Sequence, residues 1–119
     1  MIVGSSTWFD GELPNYWDEF VPEIEDTDLS GKKVAIFGLG DQKNYPQNFA
    51  DAIGILAELL SGCGAEIIGY TPADEFDYEY SRAEKNGQFM GLAIDTSNQA
   101  ALTNERVVKW VEGLKKKFQ

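Results

Sequence analysis

The stretch Lys33 to Gly38, which reads KVAIFG, decides the fold class of this chain. It is apolar and partly β-branched, and Gly31 and Gly38 bound it, which is typical of a strand buried in a parallel sheet. A weaker run at Ile2 to Gly4 precedes it, and AEIIGY at Ala65 to Tyr70 follows it. Short apolar runs that alternate with amphipathic stretches predict an α/β fold with crossover helices.

Three amphipathic stretches are predicted to be helical. They run from Leu13 to Val21, from about Gln47 to Ser61 and from about Leu102 to Phe118, with Thr103 as the N-cap of the last. The second has its apolar residues on one face, namely Phe49, Ala52, Ile53, Leu56, Leu59 and Leu60. Trp17 and Trp110 lie on apolar helical faces and are predicted to be core residues.

The polar, aromatic segment Thr71 to Asn86 is too long for an ordinary connection and is interpreted as an inserted loop. The apolar run resumes at Phe89 to Ile94. The two runs around the insert could be halves of one sheet edge. We therefore expect a single domain over residues 1–119, with the insert at 71–86.

Composition narrows the function classes. The 119 residues include 20 acidic and 10 basic side chains and no histidine, for a formal net charge of -10. Such a surface repels nucleic acid and anionic lipid and favours basic protein partners, although plain solubility explains it equally well. Cys63 is the only cysteine, so there is neither an internal disulfide nor a metal-ligand spacing around it. Without a signal peptide or an apolar span, we expect a cytoplasmic protein.

Two loops, each following a strand, carry the candidate chemistry. The first is Ser5 to Glu12 with Trp8, and the second is Gly38 to Tyr45. Ligands of open α/β sheets bind outside the carboxyl ends of the strands, so Trp8 and Tyr45 could enclose a flat ring. The glycines of both loops would let the backbone approach that ligand closely; they are Gly11, Gly38 and Gly40. Hydrolysis is disfavoured because there is no histidine and no carboxylate in a setting that raises its pKa.

Simpler roles for two of these residues stay open at this point. Tyr45 could pack on Pro46, and Asp41 could cap the turn that follows it.

The second loop resembles the flavin loop of long-chain flavodoxins. The resemblance rests on Phe37 to Gln42 (FGLGDQ), on Tyr45, and on Asn48 to Ala52 (NFADA). Thr7-Trp8 with Gly11 to Leu13 is similar to the family's first loop, and Gly91 to Asp95 (GLAID) with Asn98-Gln99 to its last strand. The insert is what separates long-chain from short-chain members.

The resemblance implies a flavodoxin-like, three-layer parallel sheet that binds flavin mononucleotide (FMN). Trp8 would stack on one face of the isoalloxazine ring and Tyr45 on the outer face. Backbone contacts to the ring and ribityl chain would come from other loop residues, namely Thr7, Phe9, Gly11, Leu39, Gly40 and Asp41. Asn48 could also touch the flavin. The implied function is low-potential electron transfer with basic partners such as flavodoxin reductases, and not enzyme catalysis.

Family members begin with a strand and a phosphate-binding loop that have no counterpart before Trp8. On this resemblance we expect the first two strands and the phosphate loop to be missing, which would leave Ile2 to Gly4 as an edge strand. The alternative is therefore that the chain is a fragment with little FMN affinity of its own. It would act through dimerisation, or through complementation by another chain at that strand.

Overall fold

The computed structural model describes residues 1–7, 12–13, 17 and 21–118. A parallel sheet organises them, with β2 (Lys33–Leu39) at its centre. On one side β2 pairs with β1 (Ile2–Ser6), in a register that places Gly4 opposite Phe37. The α/β class with a parallel sheet is confirmed.

The other side of β2 is shared by two short strands. Its first half pairs with β3 (Glu66–Ile68), and its second half pairs with β7 (Leu92–Ile94). The prediction that the runs around the insert are halves of one sheet edge is therefore confirmed. β3 is shorter than the predicted strand because Gly69 adopts a φ of 82° directly after it.

Helices cover both faces of this sheet. On one face, α2 (Asp51–Gly62) buries its apolar stripe against Val34 and Ile36. On the other, α3 (Thr103–Lys117) packs on Ala35, Ile68 and Leu92 through Trp110 and Leu114. The predicted core position of Trp110 is confirmed, and its indole Nε1 donates to the Gly69 carbonyl at 2.8 Å.

The helix boundaries differ from the predicted ones for local reasons. α2 begins at Asp51 and not at Gln47, because Ala50 has a left-handed φ of 51° that no helix can contain. Thr103 is the first residue of α3 and not its N-cap, since a 3-10 turn, Ala100–Leu102, leads into the helix. The hydroxyl of Thr103 is buried and has no hydrogen-bond partner among the described residues.

Most of the helix predicted over Leu13 to Val21 lies outside the described residues. A short helix, α1 (Val21–Glu25), begins at the last residue of that stretch and extends four residues beyond it. Trp17 is partly buried against the core, and its Nε1 donates to the Ser5 hydroxyl at 3.1 Å.

The predicted insert takes part in a small antiparallel sheet of its own. It contains β4 (Thr71–Pro72) and β5 (Glu84–Lys85), which pair antiparallel with β6 (Gln88–Phe89) in the order β4-β6-β5. Asn86 and Gly87, with φ values of 56° and 81°, form the two-residue turn between β5 and β6. Phe89 thus belongs to this small sheet, and the main-sheet strand starts only at Leu92.

An aromatic cluster joins the insert to the segment before α2. The ring of Phe49 lies 5.0 Å from that of Phe76, 5.5 Å from that of Tyr78 and 5.8 Å from that of Phe89, between centroids. Phe49 and Phe89 are fully buried. The insert is therefore anchored on the loop between β2 and α2. Within the described part of the chain, no helix has both the length and the apolar character needed to cross a membrane.

Substitutions at two glycines of α2, Gly54 and Gly62, test whether the insert packs closely on this helix. A Cβ at Gly54 would overlap the Arg82 carbonyl of the insert, whereas a Cβ at Gly62 would meet nothing within 4 Å. We expect Gly54→Ala to lower the free energy of unfolding by ~1–3 kcal/mol. Gly62→Ala should leave it unchanged or raise it by up to ~1 kcal/mol. Urea unfolding of the flavin-free protein measures both; equal effects would contradict the close packing of insert on helix.

Candidate functional site

The candidate site lies at the carboxyl ends of β1 and β2. Ser6 pairs with Leu39 at the last position of both strands, so Thr7 and Gly40 leave the sheet side by side. The N–H of Gly40 donates to the Ile94 carbonyl at 2.9 Å, which also brings the end of β7 to this place. The two predicted loops therefore start as neighbours.

Three predicted site residues, Trp8, Phe9 and Gly11, fall outside the described residues. Their proposed contacts, including the stack of Trp8 on one ring face, stay predictions.

The described part of the first loop is attached to α2. The Thr7 hydroxyl accepts a hydrogen bond of 3.0 Å from the N–H of Ala52, in the first turn of that helix. This N–H has no partner within the helix, so the bond acts as a cap supplied from another segment. The side chain of Thr7 thus contributes to the fold through its acceptor oxygen.

Gly40 and Gly38 are required by packing within the protein. A Cβ at Gly40 would lie 2.7 Å from the N of Ala50 and 2.9 Å from the ring of Phe49. A Cβ at Gly38 would lie 2.6 Å from Cγ1 of Ile53. The sequence analysis had assigned both glycines to the approach of a ligand, but here the space that a Cβ would need is filled by the chain itself.

Asp41 caps the turn that follows it. Its Oδ1 accepts from the N–H groups of Lys43 (3.1 Å) and Asn44 (3.0 Å), and its Oδ2 accepts from Nδ2 of Asn44 at 2.8 Å. These bonds, led by the main-chain N–H of Asn44, hold the pKa of the Asp41 carboxyl below its ordinary value. The simpler role left open for Asp41 is therefore present, and it keeps a negative charge at the mouth of the site.

Tyr45 is not buried by Pro46 or by the interior: 55% of its surface is exposed. Its backbone is nevertheless fixed on both sides. Its N–H donates to the Asp41 carbonyl at 2.9 Å, and its own carbonyl accepts from the N–H of Asn48 at 3.3 Å. Nearby Leu39 is also exposed, at 36%. An open aromatic ring on a hydrogen-bonded turn fits one face of a planar heterocycle.

Asn48 connects this turn to α2. It is half-buried, and its carbonyl accepts a long hydrogen bond of 3.4 Å from the N–H of Asp51. The residue after Asp51 is Ala52, whose N–H donates to the Thr7 hydroxyl. Thr7 and Asn48 therefore both lie at the start of α2.

Residues that the sequence reasoning gave no role hold the second loop in place. The carboxylate of Asp95, which follows β7 and is 1% exposed, accepts from the main-chain N–H and side-chain amide of Gln42 at 3.0 and 2.8 Å. It also accepts from both the N–H and Nδ2 of Asn98. Nδ2 of Asn98 lies 2.8 Å from Oδ1 of Asp41 as well. The sequence signal that could have identified Asp95 is its position directly after a predicted strand.

The pKa values of two buried carboxyl groups of the site are shifted in opposite directions. Burial alone would raise the pKa of the Asp95 carboxyl, but the bonds from Gln42 and Asn98 outweigh it and the pKa is lowered. Asp51, which accepts one bond of 2.8 Å from the N–H of Arg82, has its pKa raised by burial. Fully satisfied, Asp95 stabilises the folded site as an anion.

The family model described as Flavodoxin matches residues 1–110. This chain belongs to the flavodoxin family. It is 47% identical to the flavodoxin of Synechocystis sp. over 115 residues, which is 97% of this chain and 68% of that protein. With the flavodoxin of Trichodesmium erythraeum it shares 48% identity over 119 residues, covering 99% of this chain and 70% of that one.

The fold comparison agrees. A crystal structure of Fusobacterium nucleatum flavodoxin bound to flavin mononucleotide superposes with a TM-score of 0.94 at 33% identity, covering 99% of this chain and 71% of that one. The predicted flavodoxin-like fold is thereby confirmed. Of this flavodoxin's predicted site residues, the structure brings Thr7, Leu39, Gly40, Asp41, Tyr45 and Asn48 together.

The lowered pKa of Asp95 predicts a pH-dependent effect of its neutral analogue. A carboxyl whose folded pKa is depressed contributes stability above its unfolded pKa of ~3.9, and loses it as the pH falls through the lower folded value. We expect Asp95→Asn to reduce the free energy of unfolding by ~1–3 kcal/mol at pH 7. The deficit should shrink between pH 4 and pH 2, as the wild-type carboxyl becomes protonated.

Urea unfolding of the flavin-free protein across that pH range makes the measurement. Asp74→Asn, at an exposed position of the insert, is the matched control and should change stability by less than ~0.5 kcal/mol. A deficit for Asp95→Asn that is the same at pH 7 and at pH 2.5 would contradict the account of this carboxylate.

Proposed function

We propose that this flavodoxin binds FMN through the loops after β1 and β2 and carries electrons between other proteins, without substrate chemistry of its own. The observation that carries the proposal is the exposed ring of Tyr45 on a turn fixed by hydrogen bonds at the carboxyl ends of β1 and β2. The Fusobacterium nucleatum relative, whose structure contains FMN, supports the choice of cofactor.

In this proposal the protein's residues bind and orient the flavin. Tyr45 covers its outer face and Trp8 its inner face. The backbones of the two loops contact the ring edge and ribityl chain, with residues Thr7, Phe9, Gly11, Leu39, Gly40 and Asp41, and Asn48 beside them. When bound, FMN supplies the reversible redox chemistry. The capped, ionised carboxylate of Asp41 disfavours further negative charge nearby, which lowers the reduction potential of a ring at that position.

The negative charge of the chain supports the proposal that its redox partners are basic proteins such as flavodoxin reductases. The formal net charge is -10, and the insert next to the loop contributes exposed acidic groups, namely Asp74, Glu75, Asp77, Glu79 and Glu84. Long-range attraction speeds such encounters, and small charged interfaces let the partners separate after transfer. A cytoplasmic location remains the expectation from the sequence.

In this proposal the two loops bind the ring end of FMN, and none of their residues is assigned to its phosphate end. We propose that the phosphate site and the first two strands of the family fold are not among these 119 residues. The matched region, which spans 68% of the Synechocystis relative, supports this reading. FMN would then bind more weakly to these residues alone, because several charge-assisted hydrogen bonds of ~1.5–3 kcal/mol each are lost.

The first test is a titration with FMN that monitors flavin fluorescence and absorbance. We expect quenching on binding, and Tyr45→Ala should weaken the affinity about tenfold, the effect of losing ~1.4 kcal/mol of ring stacking. Tyr80→Ala is the control, because Tyr80 is similarly exposed (63%) but lies in the insert. If the protein leaves excess FMN unquenched, the proposal fails; if both variants bind like wild type, the assignment of Tyr45 fails.

A second candidate function is that of a fragment which self-associates, or is complemented by another chain, through β1. The free side of this strand favours it. Among the described strands β1 pairs only with β2, and Met1 and Ile2 are 54% and 48% exposed. An open strand edge with exposed apolar side chains is a template for another strand.

Analytical ultracentrifugation tests this second candidate. The wild type should form dimers at high micromolar concentration, and Ile2→Lys should shift it to monomer, because a charged edge opposes strand pairing. Tyr80→Lys, which places the same charge on the insert, should leave the dimer intact. A wild type that remains monomeric at every concentration would rule out self-association.

A further inference from the structure

We infer that Gln42 is a positioning residue that couples the insert to the proposed flavin loop, an inference that rests on the FMN-binding function proposed above. Its side chain is buried, with 7% of the residue exposed, and bonded at both ends. Its Nε2 donates to Oδ2 of Asp95 at 2.8 Å. Its Oε1 accepts from the N–H of Asp77, in the insert, at 2.7 Å.

The chemistry of this position selects an amide. On one side is a carboxylate, which needs a donor, and on the other a main-chain N–H, which needs an acceptor. Glutamine provides both from one planar group, whereas an ionised glutamate provides only acceptors and would face the carboxylate of Asp95. An apolar side chain of similar length would remove a donor from the buried carboxylate of Asp95 and the acceptor from the partly buried N–H of Asp77.

The insert also holds the loop on the other side of Tyr45. The N–H groups of Glu79 and Tyr80 donate to the carbonyl of Pro46 at 2.7 and 3.0 Å, and the N–H of Phe49 donates to the carbonyl of Tyr80 at 3.3 Å. The Ser81 hydroxyl bonds the Phe49 carbonyl. Tyr45 therefore lies between two attachments, Gln42 before it and Pro46 after it, both made to the insert.

Such a loop needs little ordering when a ligand arrives. A ligand that must first order its binding loop loses affinity by the free energy of that ordering. Without the side chain of Gln42, the turn from Asp41 to Tyr45 keeps its local bonds and the attachment at Pro46 but loses the attachment to Asp77. We expect the turn to open more often, and FMN to bind more weakly, without any change in the groups that touch the flavin.

Hydrogen exchange of the flavin-free protein tests the positioning role directly. Gln42→Met should increase exchange of the Lys43, Asn44 and Tyr45 amides about tenfold and leave those in the middle of α2 unchanged. Gln47→Met is the matched control: Gln47 lies in the same loop, but it is exposed and its bond goes to the side chain of Glu79 at 3.1 Å. Equal exchange in the two variants would overturn the inference.

FMN titration of the same variants provides the functional readout. Gln42→Met should raise the Kd for FMN about tenfold, and Gln47→Met less than twofold. An unchanged Kd for Gln42→Met beside a wild type that binds would overturn the coupling to the flavin loop. A wild type that binds no FMN would instead contradict the proposed function, and the exchange measurement would still decide the role of Gln42.

Gln42→Glu covers the case in which Gln42→Met does not fold. It replaces the donor to Asp95 with a second carboxylate, and repulsion between the two carboxylates moves the side chain away from Asp95 and from the N–H of Asp77. It should therefore loosen the same three amides, and wild-type exchange in this variant would equally overturn the inference.

Discussion

The site depends on one buried carboxylate, that of Asp95, and on the donors that satisfy it. A charge that is 1% exposed is tolerated only when its hydrogen bonds are complete, and Gln42 and Asn98 supply them. Those two residues are themselves bonded to Asp77 and Asp41. The end of β7, the insert and the loop after β2 are therefore joined around a single anion. These bonds hold the turn that carries Tyr45 at the carboxyl end of β2.

Much of the fold could be predicted because the buried strands of a parallel sheet have a recognisable sequence pattern. β2 was predicted to within one residue, since a strand buried on both faces reads as a continuous apolar run. The start of α2 was missed because it depends on Ala50 at a φ of 51°, a conformation that alanine rarely adopts. The short strands of the insert were not predicted, although Asn86-Gly87, a two-residue hairpin signal, lies at its end.

The site was predictable in outline, because polar and aromatic residues after parallel strands gather at one end of a sheet. That reasoning placed Thr7, Asp41 and Tyr45 together. It could not show that the Thr7 hydroxyl caps α2, or that the space beside Gly40 is filled by Phe49 and not left to a ligand. Such contacts join residues that are far apart in the sequence. The role of Gln42, whose partners are 35 and 53 positions away, is hidden for the same reason.

A crystal structure of this chain with FMN is the most direct test of the claim that a turn held by Gln42 and Asp95 presents Tyr45 to the flavin. The account predicts the Tyr45 ring over the isoalloxazine ring, with centroids ~4.5–7 Å apart as in other aromatic pairs. It also predicts that the bonds of Gln42 to Asp95 and Asp77 are present in the complex. An isoalloxazine ring located away from Tyr45, or a turn rebuilt around the flavin with those bonds broken, would contradict it.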